Sequence, residues 1–244
     1  MKKSIKTMLI LIAAVIFLII AIASVRFFPR LSMKPAATDE ILNTEIYAVK
    51  NEINSLYFVE TDIGYIVIDA GSNPDKVKEA LNEIDIDPLS VKYVLLTHSD
   101  YDHVASLNLF SNAQIYMSED ELQMINGITK RNAGINNTLP DGVNLDSLVL
   151  LKDGQDLLFG EHTIKCIKTP GHTPGSMSYL LDKQYLFTGD AVMISNGVIS
   201  IHPYTMNKGT SKESIQKIVE IAKQCEIVIT AHYGYYKTDT LELD

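Results

Sequence analysis

Two hydropathy patterns divide the chain. From Met8 to Val25 it runs without a charge, while beyond residue 44 apolar residues come in short bursts separated by polar turns. The first pattern predicts one long apolar helix, and the second a series of strands and short helices. Residues 45–49, 56–60 and 65–68 read as successive strands rich in β-branched and aromatic side chains, with Asp62 and Gly64 marking the turn between the last two. Asn73 and Pro74 then open a helix. Asparagine caps it, proline takes the first helical position, and Val77, Ala80, Leu81 and Ile84 follow at helical spacing. A strand at 92–96, a helix at 103–110, a strand at 114–117 and a helix at 119–125 continue the alternation. Residues 126–147, rich in Asn and Gly, predict a long loop of the kind that covers sites. Strands at 148–151, 156–159, 163–168, 178–181 and 185–187, a helix at 211–224 and a last strand at 227–229 complete the series. Two mixed sheets flanked by helices is the packing this predicts.

The basic start Lys2, Lys3 and Lys6 precedes the charge-free run, so residues 1–7 are expected on the cytoplasmic side and residues 8–25 in the membrane. At 1.5 Å per residue the run reaches roughly 27 Å, close to the ~30 Å hydrocarbon core. Ala21-Ile22-Ala23 has the small-x-small form of a signal-peptide cleavage site, which makes a secreted product the alternative. The leading expectation is a single-pass protein of the cell membrane whose remainder is extracytoplasmic, with residues 26–43 as linker and 44–244 as one domain. With a net charge of −9 and no basic cluster beyond the N-terminus, no nucleic-acid partner is expected. Cys166 and Cys225, the only cysteines, lie in or beside apolar segments and read as small buried hydrophobes, with a disulfide left open in an oxidising exterior.

Chemistry concentrates at strand ends. His98-Ser99-Asp100-Tyr101-Asp102-His103 places four potential metal ligands directly after the apolar run 91–96. Asp100 or Asp102 could instead cap the helix that follows. The pattern recurs, however: His172 sits between Pro170-Gly171 and Pro174-Gly175, where turn geometry is restricted. Asp190 ends the run Phe187-Thr188-Gly189, and His232 ends the β-branched run 227–231. A strand followed by a ligand, repeated along the chain, predicts one metal centre. His162 reads as an exposed histidine at a hairpin tip, and His202 as a candidate substrate contact in the irregular stretch after Asp190.

These residues resemble the metallo-β-lactamase fold family of hydrolases. The likeness is carried in order by Asp69 in Ile68-Asp69-Ala70-Gly71, the cluster from His98 to His103, His172, Asp190 and His232. It implies an α+β fold, the four-layer αβ/βα sandwich, preceded here by the N-terminal transmembrane helix that the apolar run predicts. It also implies a centre of two divalent ions, zinc first and manganese or iron as alternatives. His98, Asp100 and His172 would hold one ion, Asp102, His103 and His232 the other, and Asp190 would bridge them. The chain departs from the family at Asp100, where histidine is usual; a carboxylate there lowers the charge of the site and suits harder ions. Asp69 would orient a ligand rather than bind metal. The resemblance implies hydrolysis of a small-molecule acyl substrate (an ester, thioester, lactone or β-lactam), with Asp102 as the catalytic carboxylate. A phosphodiesterase, or a metal-binding or interaction protein without turnover, are the other readings. Oligomeric state is not readable from the chain.

Overall fold

The computed structural model describes residues 2–38, 45–131, 137–143 and 147–243. Residues Met1–Met33 form a unit of their own and Lys34–Asp244 a second. The first unit is helix α1 (Lys2–Phe27) followed by a 3-10 turn, Phe28–Ser32. One helical stretch, Lys6–Ser32, is long and apolar enough to cross a membrane, and a signal sequence would meet the same criterion. Its large apolar side chains are exposed within the unit, Phe17 by 74% and Leu9 by 57%. A helix that is apolar all round finds no burial by folding alone.

In the second unit, β1 (Ile46–Asn51), β2 (Asn54–Thr61) and β3 (Gly64–Ile68) form an antiparallel meander. Helix α2 (Pro74–Glu83) then returns the chain so that β4 (Val91–Leu95) pairs parallel with β3. The cap is as expected, Asn73 Oδ1 accepting from the backbone N–H groups of Asp75 and Lys76. β5 (Gln114–Ser118) and β6 (Val149–Leu151) add in parallel, completing a six-stranded sheet in sequential order. The helix expected at 103–110 is broken into α3 (Tyr101–Val104) and a 3-10 turn, Leu107–Phe110. So short a helix is marginal by itself, and the bend at Ser106 lets Val104, Leu107 and Phe110 all reach the sheet. The segment expected at 119–125 likewise begins as a 3-10 turn and ends as α4 (Leu122–Ile125). Of the loop expected at 126–147, residues 132–136 and 144–146 lie outside the described residues, as do residues 39–44 of the expected linker. The linker's residues 34–38 belong to the second unit, where Ala36 is buried and its carbonyl accepts from Ser55 Oγ.

The second sheet is β7 (Asp156–Phe159), β8 (His162–Lys168), β9 (Met177–Leu181), β10 (Tyr185–Phe187), β13 (Ile227–Ile229) and β14 (Tyr235–Lys237). Only β10 and β13 are parallel, joined through helix α5 (Lys208–Ala222). The ribbon of β11 (Met193–Ser195) and β12 (Val198–Ser200), and strand β14, were not expected from the sequence.

Three apolar layers result. Tyr57, Ile66, Ile68 and Leu95 of one sheet meet Ile164, Met177, Tyr179 and Phe187 of the other. Val77 and Leu81 of α2, with Leu107 and Phe110, cover the outer face of the first sheet. Ile218 and Ala222 of α5 cover the second against Leu186 and Val228. This is the four-layer sandwich. Truncating a fully buried member such as Leu95 to alanine costs about 2–5 kcal/mol. That packing holds still the strand ends that carry the polar residues.

Candidate metal centre

The C-terminal ends of β3 and β4, parallel in one sheet, and of β10 and β13, parallel in the other, deliver Asp69, the stretch from His98 to His103, Asp190 and His232 to one edge of the sandwich. The β8–β9 connection delivers His172. Close approach needs glycine at two places. A Cβ on Gly189, whose φ is +52°, would lie 2.5 Å from Thr97 Oγ1, and one on Gly171 would lie 2.6 Å from Ser211 Cα.

All seven sequence-predicted residues come together, with Asp190 at the centre. Asp190 Oδ2 lies 3.2 Å from His232 Nε2, 3.3 Å from His172 Nε2 and 4.0 Å from His98 Nε2, and Oδ1 lies 3.7 Å from His103 Nε2. On one side Asp100 Oδ2 is 3.1 Å from His172 Nε2 and 3.4 Å from His98 Nε2. On the other, Asp102 Oδ2 is 3.3 Å from His232 Nε2 and 3.8 Å from His103 Nε2. Two triads, His98–Asp100–His172 and Asp102–His103–His232, each gather their ligand atoms within 4.8 Å of one another.

The donor set fits divalent metal. His103 Nδ1 is 2.8 Å from Asp69 Oδ2, His98 Nδ1 is 3.0 Å from Thr97 Oγ1, and His232 Nδ1 is 2.7 Å from the Ile53 carbonyl. With Nδ1 held by acceptors on the outside, Nε2 of His103 and His232 faces inward and is the nitrogen that a metal would take in place of a proton. His98 Nε2, His103 Nε2 and Asp190 Oδ1 are buried with no hydrogen-bond partner among the described residues. Protein interiors rarely leave such atoms unsatisfied, and these converge on one point. Asp69 stands in the left-handed region at φ 63°, which aspartate tolerates, and its carboxylate also accepts from the Thr97 N–H at 2.8 Å. It therefore orients a histidine, as its place before the glycine turn suggested.

Electrostatics follow from the crowding. Burial would raise the Asp190 carboxyl, but the histidines around it, His232 foremost, hold it well below the usual carboxylate range. Burial pushes His172 down to about 4 and His202 to about 3. Burial works the same way on His232, yet Asp190 and Asp102 outweigh it and lift this imidazole to about 10.

Asp100 occupies the N-cap position of α3 but makes no capping bond. Its carboxylate is held by Arg131 and by Asn137 instead. Neither residue had a signal in the sequence, since each is one of several polar residues in a loop with nothing to single it out. Glu121 was also missed. Fully buried, it accepts from Ser99 N–H at 2.9 Å and Ser99 Oγ at 2.6 Å with one oxygen, and from Thr173 Oγ1 at 2.7 Å and Gly175 N–H at 3.0 Å with the other. It clips the His98 loop to the His172 loop. His202 stands inside the centre, its Nε2 3.7 Å from Asp190 Oδ2, and groups with His172 and Asp190. His162 is corrected: it is 4% exposed, not a surface histidine, and binds Asp182 and the Glu60 carbonyl. Cys166 and Cys225 are both buried and unbridged, and burial pushes their thiols up to about 12 and about 11.

A histidine and aspartate centre at one edge of a four-layer αβ/βα sandwich defines the class. The sequence profile described as the metallo-beta-lactamase superfamily matches residues 50–232, and the chain belongs to that superfamily. Among curated relatives, it is 36% identical over 130 residues to a probable polyketide biosynthesis zinc-dependent hydrolase of Bacillus velezensis, covering 52% of this chain and 49% of that one. It is 30% identical over 158 residues to a probable metallo-hydrolase of Methanocaldococcus jannaschii, covering 64% of each. The chain thus spans about half to two thirds of the length of these relatives. In three dimensions it resembles the subclass B3 metallo-beta-lactamase BJP-1 of Bradyrhizobium japonicum, with a TM-score of 0.64 at 20% identity over 82% of this chain and 80% of that one. At that identity the likeness is one of fold.

Proposed function

We propose that this chain is a metal-dependent hydrolase of small acyl compounds, held at a membrane by α1 with its catalytic domain outside the cytoplasm, or secreted after cleavage. The observation that carries the reading is the convergence of buried, unpartnered ligand atoms of His98, His103 and Asp190 on one point between two triads. His98, His172 and Asp190 would hold one divalent ion, Asp102, His103, His232 and Asp190 a second, with zinc the first choice because two relatives bear the words zinc-dependent hydrolase. Ions so held lower the pKa of water towards 7 and polarise a carbonyl.

The chain's own part is positional and protonic. Asp102, whose side chain is 26% exposed, is the carboxylate of the site most open to solvent, and its burial-opposed but histidine-stabilised charge keeps it ionised. Its carboxylate orients the attacking water, takes its proton and returns it to the leaving group. Asp69 and the Ile53 carbonyl keep His103 and His232 pointed inward throughout. Metal content, measured together with a panel of esters, thioesters, lactones, β-lactams and phosphodiesters, tests the reading. Metal binding with turnover of an acyl compound supports it, turnover only of phosphodiesters replaces it, and metal without turnover of any of these leaves a binding protein.

A further inference from the structure

Asp100 is a poor candidate for the ligand that its position implies. Arg131 Nε donates to its Oδ1 at 3.0 Å and Arg131 Nη2 donates to its Oδ2, while Asn137 Nδ2 adds a 2.8 Å bond to Oδ1. The guanidinium is itself fixed, Nη1 donating to the Tyr204 carbonyl at 2.5 Å. A bidentate arginine pair is among the strongest hydrogen-bonded arrangements available to a carboxylate. Arg131 Nη2 also lies 2.7 Å from His172 Nε2, and an entering ion would displace it from that neutral imidazole more readily than from the carboxylate, which the guanidinium holds by two bonds.

His202 presents the opposite balance. It is 1% exposed, and neither ring nitrogen has a hydrogen-bond partner among the described residues. A buried imidazole left so is unfavourable unless something binds it. Its ring lies edge-on to His172 at 4.8 Å and stacks at 5.6 Å on His232, and its Nε2 is 3.7 Å from Asp190 Oδ2. His172, Asp190 and His202 bring their ligand atoms within 4.8 Å of one another.

We propose that His202 is a metal ligand of the His172 side of the centre, supplying the imidazole that Asp100 does not, while Arg131 ties Asp100 up as an ion pair. The site keeps the neutral nitrogen donors that zinc favours, contributed from a loop after β12 rather than from the stretch after β4. This rests on the metal-centre reading above, and the experiment separates the two.

Protein stripped with a chelator is titrated with zinc against a chromophoric competitor, with native mass spectrometry counting ions. Wild type takes up two. His202→Ala weakens one binding step by roughly 10–100-fold, while Asp100→Asn shifts that step by no more than about threefold. The reverse ranking, Asp100→Asn losing the ion and His202→Ala keeping it, overturns the proposal. Should His202→Ala not fold, as judged by circular dichroism of the metal-free form, the unmutated protein decides. Loaded with cobalt(II), its His202 ring N–H carries the large downfield contact shift of a coordinated imidazole if the ring is a ligand, and a through-space shift alone overturns the proposal. A wild type that binds no zinc defeats the hydrolase reading as well; one that binds zinc indifferently to His202 defeats this inference alone.

Discussion

His162 and the five histidines of the centre are equally buried, none more than 4% exposed, yet they are opposite in kind. His162 uses both ring nitrogens within the protein: Nδ1 meets Asp182 Oδ2 at 2.7 Å and Nε2 meets the Glu60 carbonyl at 3.0 Å. Since β8 begins at His162 and Glu60 belongs to β2, the ring joins the two sheets. Of the histidines of the centre, His98, His103 and His232 are tied at Nδ1 on the outside, His202 at neither nitrogen and His172 at Nε2 by Asp100 and Arg131, and their Nε2 atoms converge. Burial therefore does not separate structure from function here; the accounting of hydrogen bonds does. Substitution at the centre should cost chemistry and leave the fold, whereas substitution at His162 should cost stability and leave chemistry.

The largest effect tests the first half of that contrast. Asp102→Ala or His172→Ala lowers kcat/KM for whatever substrate is turned over by roughly 10²–10⁴, with the circular dichroism spectrum kept. The strands that flank them, β4, β8 and β9, are anchored by Leu95, Cys166, Met177 and Tyr179, which neither substitution touches. Activity within a few-fold of the parent in either variant would remove the centre from the reaction.

Glu121 crosses the line between the two kinds of site, being buried and fully satisfied yet joining two ligand loops. In Glu121→Gln the amide nitrogen faces either the Ser99 pair or the Thr173 and Gly175 pair, and a backbone N–H is left without an acceptor. Each orphaned buried donor costs about 1–3 kcal/mol, to be read as a lower urea midpoint with an unchanged slope. A midpoint equal to the parent's would mean that the loops hold without the clip.

What the sequence disclosed follows this same division. Ligands placed straight after a β-branched run, as His98 and His232 are, are legible because the strand that positions them is itself legible. His202 also follows a β-branched stretch, Val198-Ile199-Ser200-Ile201, yet it reads as a substrate contact because so short a ribbon does not stand out as a strand. Arg131, Asn137 and Glu121 act through partners remote in the chain, 31, 37 and 22 residues or more away, and no local pattern encodes such pairs. His162 was misplaced for a different reason. Gly160-Glu161 does mark a turn, but the strand's period turns the ring inward, onto Glu60. The helix expected at 103–110 was legible as an apolar segment and not as two pieces, because the break serves packing rather than propensity.

Asp69→Asn is a smaller and sharper test. Asparagine accepts the left-handed φ of 63° and can still take the Thr97 N–H, but its amide places a donor where His103 Nδ1 also donates. Zinc affinity on the Asp102–His103–His232 side should fall roughly 10–100-fold, with little change in thermal stability. Competition titration measures it. An affinity unchanged by the variant would show that packing alone aims His103.

The smallest effect concerns His162 and pH. Burial lowers this imidazole, but its bonds to the Asp182 carboxylate and the Glu60 carbonyl raise it by more, so its folded pKa lies above that of the unfolded chain. The folded state therefore binds the proton more tightly. The stability this contributes is fully present below the unfolded value, about 6.5, and is lost as pH rises through the folded one. His162→Gln removes the term. Urea midpoints of parent and variant, both loaded with metal so that the centre is the same in each, should differ most near pH 6 and draw together as the solution becomes alkaline. Turnover at a fixed pH should be the same for both, because the ring touches neither triad. A gap that widens with pH would reverse the assigned charge, and a loss of turnover would mean that the two kinds of buried histidine are not independent after all.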